Sequence, residues 1–530
     1  MKYALDILLV ASSAALLALA FPGPGSPHLA WIALVPLFLQ LFRSGFLKAF
    51  FSALLAGFLF YLCLMGWAVR LDEANPWNFT AMNLYFAIYA GLFGVAARYL
   101  HERIPRWDAL AFPSLWVAIE YLRSHIGFLS FPQGILGYSQ YEVLPVAAIS
   151  EYAGVYGVSF AIVSVNAALA SIAWTRLRFA REGIGETRPA PIRVPLAIMG
   201  GVLVGISGVT ARDHLSSRPA GADRSIPVAV VQGNAQADEK TGYDRYLRDV
   251  FPVYEALTLQ AAASGSSLVV WPSSSVPGIL PLDRRMAGLL ASLANRCGAY
   301  LLIGSAGFDK FNAEQSRTRR VANSAFLFAP SGAIVGRYDK VRLLPFDEYL
   351  PLRNYVRWPS WIVSPGMTDH HTGGKLTIFA MDDVRFGVQI CWENMFPDQV
   401  RKVVADGADF IVGQTNEFFA KSGDAQYQNL SYYVFRAVEN RVPVVRSSAN
   451  GVSCVIDPGG RIAAVVADGR GNRLNISGFA VARISLRPGK SFYNRCGDLF
   501  AFAAIVVVAG LGVYGYRGGK TDSGSELIKS

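Results

Sequence analysis

Residues 385–401, RFGVQICWENMFPDQVR, decide the fold of the largest polar part of the chain. RFGVQIC is a short, nearly continuous apolar run, as expected for a strand buried in a sheet, and PDQVR, led by proline, opens a helix. Between them stand Cys391, Trp392 and Glu393. A thiol at such a strand-to-helix junction lies near backbone amides and a positive dipole end, both of which favour the thiolate. Taken alone, a cysteine here is as readily a buried core residue.

The same texture extends on both sides. Strands are expected at IPVAVVQGN, SLVVWP, AYLLIGSAG, SAFLFAP, AIVGRYD, LTIFAM, DFIVGQTN, VPVVRSSAN, SCVIDP and AAVVA, and helices at 243–264, 283–297, 397–406 and 425–440. Short apolar strands alternating with amphipathic helices give an α/β domain over 226–485, two sheets packed between helix layers. Lys340 ends the strand AIVGRYD and is followed by Glu348, while Cys391 is followed by Glu393. Singly each is ordinary, but all four fall just after apolar strands, where α/β folds place their sites.

Outside this domain lipid is the expected solvent. Of 530 residues, 52% are hydrophobic and only 16% charged, a composition unlike that of a soluble enzyme. A bundle of about seven helices is expected over 1–212, with runs near 4–21, 29–42, 49–69, 80–97, 109–122, 144–174 and 194–211, and an eighth span at 497–516. The run 109–122 is the weakest, being short and carrying Pro113 and Glu120. Residues 1–20 resemble a signal peptide but continue straight into the next apolar run, so retention as an anchor is expected. Loops after the second, fourth and sixth runs hold ten basic residues: Arg43, Lys48, Arg98, Arg103, Arg106, Arg176, Arg178, Arg181, Arg188 and Arg193. The alternate loops hold only Arg70 and Arg123, so positive charge places the former inside and the α/β domain outside, in the periplasm. The net charge of +11 is thereby explained by topology, and nucleic acid is not an expected partner. Five cysteines without CxxC spacing indicate neither a disulfide framework nor a zinc site.

The blocks WPSSSVP, YDKVRLLPFDEYLPL, FGVQICWENMFPDQVR and RAVENRVPVVRSSANGVS resemble the nitrilase superfamily, specifically the apolipoprotein N-acyltransferases. FPGPGSPHLAWIALVPLF and LGYSQYEVLPVAAISEYAGVYGVSF agree in the apolar part, so the resemblance covers nearly the whole chain. It implies a membrane helical bundle of about eight spans bearing a nitrilase-like α-β-β-α sandwich. By the same resemblance Cys391 is the nucleophile, Lys340 the oxyanion-stabilising lysine, Glu348 and Glu393 supporting glutamates, and Trp392 a substrate-binding aromatic. The implied partners are a phospholipid acyl donor, a diacylated lipoprotein acceptor and the bacterial inner membrane. No cofactor or metal is implied, and nothing requires more than a monomer.

One position breaks the pattern. The family's general base is a glutamate directly after TrpPro, and this chain has Ser273 there; a family tryptophan in the loop after the first strand aligns with Thr241. A serine hydroxyl cannot take a thiol proton at neutral pH, and general-base help is worth ~10² to 10⁴ in rate. Either Glu348 or Glu393 serves as base, or the chain is an impaired paralogue that binds lipid or lipoprotein without efficient transfer, or the glutamate has been replaced artificially to trap a substrate complex. Without its carboxylate, Ser273 also leaves Lys340 short of an expected partner and Cys391 more readily protonated. Other classes fit less well. There is no GxSxG elbow for a serine hydrolase, and His370 and His371, an adjacent pair, are poorly suited to a cysteine protease or a metal. Glu120 is the main intramembrane ionisable residue a transporter could use.

Overall fold

Along β1 (Ser225–Gln232), Val228 and Val230 enter one buried cluster while Ala229 and Val231 enter another. A strand with both faces apolar must be covered twice, and the computed structural model shows by what. It describes the chain except for residues 1, 24, 71–74, 183–192, 217–223, 236–241, 309–320, 364–366, 368, 421–422, 487–489 and 527–530. Thr241 and Arg188 lie outside the described residues.

One sheet runs β13 (Gly478–Ser485), β1, β2 (Leu268–Val270), β4 (Tyr300–Phe308), β5 (Val321–Phe328), β6 (Ile334–Asp339), with β3 (Val276–Leu280) pairing β4. The other runs β12 (Ile462–Val465), β11 (Cys454–Ile456), β10 (Val444–Ser448), β9 (Phe410–Thr415), β8 (Val384–Ile390), β7 (Ile378–Met381). In each, the central strands are parallel: β1, β2 and β4 in the first, β8, β9 and β10 in the second. Val228, Val230, Leu302 and Leu327 of the first sheet share one apolar cluster with Phe386, Val388, Phe410 and Val412 of the second, so the sheets face one another. On the far side of the first sheet, Trp271, Leu301 and Phe326 pack under helices Phe251–Ala263 and Arg284–Cys297. On the far side of the second, helices Pro397–Ala405 and Gly423–Asn440 approach so closely that a Cβ on Gly387 would lie 2.0 Å from Val403, and one on Gly413 2.2 Å from Tyr433. The layering is α-β-β-α. Two strands escaped the sequence reading: β3, which carries Gly278, and β13, whose GFAVARIS mixes small, apolar and charged residues without a clear period and pairs antiparallel with all of β1.

The other compact unit comprises residues 1–69, 74–218 and 496–530. Among the described residues four helices in it are long and apolar enough to cross a membrane: Phe46–Leu64, Pro76–Arg103, Ser150–Ala180 and Leu499–Arg517. Shorter apolar helices are Ala4–Ala20, Pro27–Phe42 and Arg193–Val209, so length and composition support four of the eight expected spans. The reasons are local. The run at 29–42 divides into a 3-10 turn, Pro27–Trp31, and helix Val35–Phe42, whose eight residues rise only about 12 Å against the ~30 Å of a hydrocarbon core. The run at 109–122 is helix Asp108–His125, which buries Asp108, Glu120 and Arg123. Glu120 accepts from Trp116 Nε1 and Leu136 N at 2.8 Å each, and Arg123 donates to Tyr61 OH and Gln133 O at 2.5 Å, bracing the turn-rich segment 127–140. Glu120 thus acts as a structural tie through Oε1.

Candidate active site

Cys391 is the first residue past β8 and opens a 3-10 turn, Cys391–Met395, with φ of 56°. A non-glycine residue in that region costs of order ~1–3 kcal/mol and persists only where its surroundings fix it. Glu393 does the fixing. It is fully buried, and its Oε2 accepts from Ile390 N at 2.8 Å. Its Oε1 accepts from Tyr338 OH (2.8 Å), Val341 N (2.9 Å), Arg342 N (3.0 Å) and Gln399 Nε2 (3.0 Å). One carboxylate therefore ties the cysteine turn to the chain on both sides of Lys340.

Lys340 follows β6 and is 1% exposed. Its Nζ donates to both oxygens of Glu348, at 2.8 and 2.7 Å, and Glu348 also accepts from Leu344 N at 2.7 Å. Burial pulls the ammonium down, but the charges of Glu348 and Cys391 outweigh it and hold Lys340 above the ordinary lysine range. Burial pushes Glu348 up, and Lys340 overrides it and holds the carboxyl below its usual range. The expected shortage of a partner for Lys340 is corrected here: Glu348 supplies a bidentate one.

At Cys391 the electrostatics follow the expectation of a more readily protonated sulfur rather than the thiolate favoured by the strand-to-helix junction. Cys391 is half-buried by exposure, yet the protein packed around its sulfur pushes the thiol up to about 11; Lys340 pulls it down, while Glu348 and Glu417 push it further up. Desolvation outweighs the nearby amides because a charged sulfur loses more in leaving water than a few dipoles return.

Ser273 is buried just past β2, on a backbone lying so close to β4 that a Cβ on Gly304 would meet Ser273 Cα at 2.5 Å. Gln414 of β9 donates to Trp271 O at 2.7 Å, holding this strand end against the second sheet. Trp392 donates from Nε1 to Arg342 O at 2.6 Å and meets Phe396 edge-on at 4.9 Å, with the Arg342 guanidinium 4.0 Å over Phe396. His370 and His371 use their backbone amides, on Glu348 O and Val321 O. Among the described residues no group of three His, Cys, Asp or Glu side chains could hold a metal ion.

Two buried side chains here were missed. Tyr338 stands two residues before Lys340, on the inner face of its strand. Glu417 follows β9 with the same relation to an apolar strand that singled out Lys340 and Cys391, and that signal could have found it. Glu417 accepts from Arg446 Nη2 at 2.7 Å, from Ser448 Oγ at 2.8 Å and from Asn429 Nδ2.

Two facing sheets between helix layers, with a strand-end cysteine and a buried lysine–glutamate pair, define the carbon–nitrogen hydrolase class. The carbon-nitrogen hydrolase family matches residues 227–477, and the apolipoprotein N-acyltransferase N-terminal domain matches residues 13–168. The apolipoprotein N-acyltransferase of Geobacter metallireducens is 33% identical over 97% of this chain and 95% of its own. Apolipoprotein N-acyltransferase 1 of Treponema denticola is 27% identical over 96% of this chain and 95% of its own, and that of Treponema pallidum 30% over 86% of each. This chain belongs to the apolipoprotein N-acyltransferase family. It is an acyltransferase and a bacterial membrane protein.

Proposed function

We propose that this chain moves an acyl chain from a phospholipid, through a thioester on Cys391, to the α-amine of the diacylglyceryl-cysteine of lipoproteins. The observation that carries the reading is the Lys340 ammonium, buried, clamped by Glu348 and acting electrostatically on the Cys391 sulfur. In the first step sulfur attacks the ester carbonyl, the thiol proton ends on the departing lysophospholipid oxygen, and Lys340 meets the charge on the carbonyl oxygen. In the second step the lipoprotein amine attacks the thioester; amide forms, and the amine proton returns to sulfur. Trp392 belongs to the wall that substrate meets. Of the two expected replacement bases, Glu393 has its oxygens committed to the turn, which leaves Glu348; protonating it would cost its grip on Lys340.

The reaction belongs on the periplasmic face of the inner membrane. Basic loops sit together at one end of the bundle: Arg43 and Lys48 both reach Asp6, Arg98 reaches Ser44 O at 2.5 Å, and Arg106 reaches Tyr514 OH at 2.8 Å near the basic end of the last helix. The chain enters that helix at the opposite end, Leu499. All four site residues come from one chain, so a monomer suffices. No cofactor is required by the chemistry.

A second reading, an impaired paralogue that binds lipid or lipoprotein without efficient transfer, is favoured by the thiol held at about 11 and by Ser273 in place of the base. Purified protein in detergent, given phosphatidylethanolamine and a diacylated lipopeptide, separates them. Cys391-dependent formation of triacylated lipopeptide supports the first reading. Lipid binding with no product at any enzyme concentration supports the second.

A further inference from the structure

A hydrogen-bonded chain of buried and half-buried side chains leads from the cysteine turn to the end of β9. Asn394, three residues after Cys391, donates from Nδ2 to Asn429 Oδ1 at 2.7 Å. Asn429, on helix Gly423–Asn440, donates in turn to Glu417 Oε1. Arg446 of β10 donates to the same oxygen at 2.7 Å, and Ser448 Oγ to Oε2 at 2.8 Å. Arg446 and Glu417 are 0% and 1% exposed, and Arg446 is held further by Val452 O and by the Tyr433 ring 5.3 Å away. The fit leaves no slack: a Cβ on Gly451 would overlap Glu417 Oε2 at 1.7 Å. A buried charge with every partner fixed has one orientation available to it, and whatever hangs from it inherits that orientation.

We propose that Glu417 is a positioning residue for the acyl-transfer reaction, holding the Cys391 turn in register through Asn429 and Asn394. The inference rests on Cys391 being the nucleophile, as proposed above. Glu393 fixes the turn toward β6, and the Glu417 chain fixes it toward β9, β10 and the helix behind them. The sulfur is faced by Lys340 past β6, Glu348 in the loop beyond it, Glu393 on its own turn, Glu417 past β9 and Tyr433 of the helix, with Arg446 behind Glu417. Of the carboxylates among these, Glu348 is paired with Lys340 and Glu417 with Arg446. Glu417 also opposes Lys340 at the sulfur, the carboxylate pushing the thiol up and the ammonium pulling it down.

The test uses the full-length protein in detergent and the pH dependence of Cys391 alkylation by iodoacetamide, followed by peptide mass spectrometry. Glu417→Gln keeps the shape and removes the charge; the alkylation midpoint moves to lower pH, and kcat for transfer falls by up to about 10²-fold with KM for phospholipid unchanged. Asn429→Ala cuts the chain and keeps the charge; kcat falls in the same way, without the downward move of the midpoint. Wild-type kcat in Asn429→Ala overturns the proposal, and folded Glu417→Gln with a wild-type alkylation profile shows that the Glu417 charge does not reach the sulfur. If Glu417→Gln fails to fold because Arg446 is left unpaired, Asn429→Ala still decides the positioning claim. The alkylation readout needs no turnover, so wild-type protein without transfer activity refutes the proposed function and leaves the Glu417 coupling separately measurable.

Discussion

The Cys391 thiol is held at about 11, well above the ordinary cysteine value of ~8.5. At pH 7.5 that leaves a thiolate fraction of ~3 × 10⁻⁴ against ~10⁻¹ for an ordinary exposed cysteine, about 300-fold less. Alkylation of Cys391 should therefore rise close to tenfold per pH step from pH 7 to pH 10, with no plateau in that range. The sign for Lys340 is fixed as well: its ammonium lowers the thiol, so Lys340→Met moves the curve to still higher pH and slows alkylation at pH 9. Each rate is read by quenching with excess thiol and quantifying the Cys391 peptide, with exposed Cys496 as an internal control in the same molecule. A plateau below pH 9, or faster alkylation in Lys340→Met, would refute the reasoning that burial dominates this sulfur.

Ser273→Glu restores a carboxylate beside the strand end and should raise transfer by ~10² or more; an unchanged rate would mean that a base already acts elsewhere or that the site is lost for another reason. Glu348→Gln strands Lys340 in the interior and should destabilise the domain by about 3–5 kcal/mol, read as a drop in thermal midpoint. Because Glu348 is lowered and Lys340 raised, the gap between wild type and Glu348→Gln should stay level from about pH 5 to pH 10. It should narrow as pH falls below ~4.3 and Glu348 protonates, and again as pH rises through the lysine range above ~10.4. Gly413→Ala sets a methyl 2.2 Å from the Tyr433 ring and should cost about 1–3 kcal/mol through overpacking, with a matching loss of thermal midpoint.

The α-β-β-α sandwich was legible because its central strands are apolar on both faces, which only a covered sheet tolerates. β13 was not seen, since GFAVARIS alternates weakly and nothing local marks it as the partner of a strand some 250 residues earlier. Lys340, Glu348, Cys391 and Glu393 could be named from their places after strands, and the first two do meet. Their electrostatics could not be read, because the sign at Cys391 depends on how deeply the sulfur is buried, and burial belongs to the packed fold. Glu417 shows the same limit: its place after DFIVGQTN was visible, but its partners Asn429 and Arg446 come from separate elements. In the bundle, apolar runs were easy to find and hard to count. Pro27–Phe42 breaks into short pieces, and Glu120 and Arg123 interrupt an otherwise apolar helix to brace a turn.

The most direct test of the central claim is intact-protein mass spectrometry after incubation with phosphatidylethanolamine and no acceptor. The account requires one added acyl mass, mapped to Cys391, released by neutral hydroxylamine and missing from Cys391→Ala. An acyl adduct that resists hydroxylamine, or one that survives in Cys391→Ala, would contradict it.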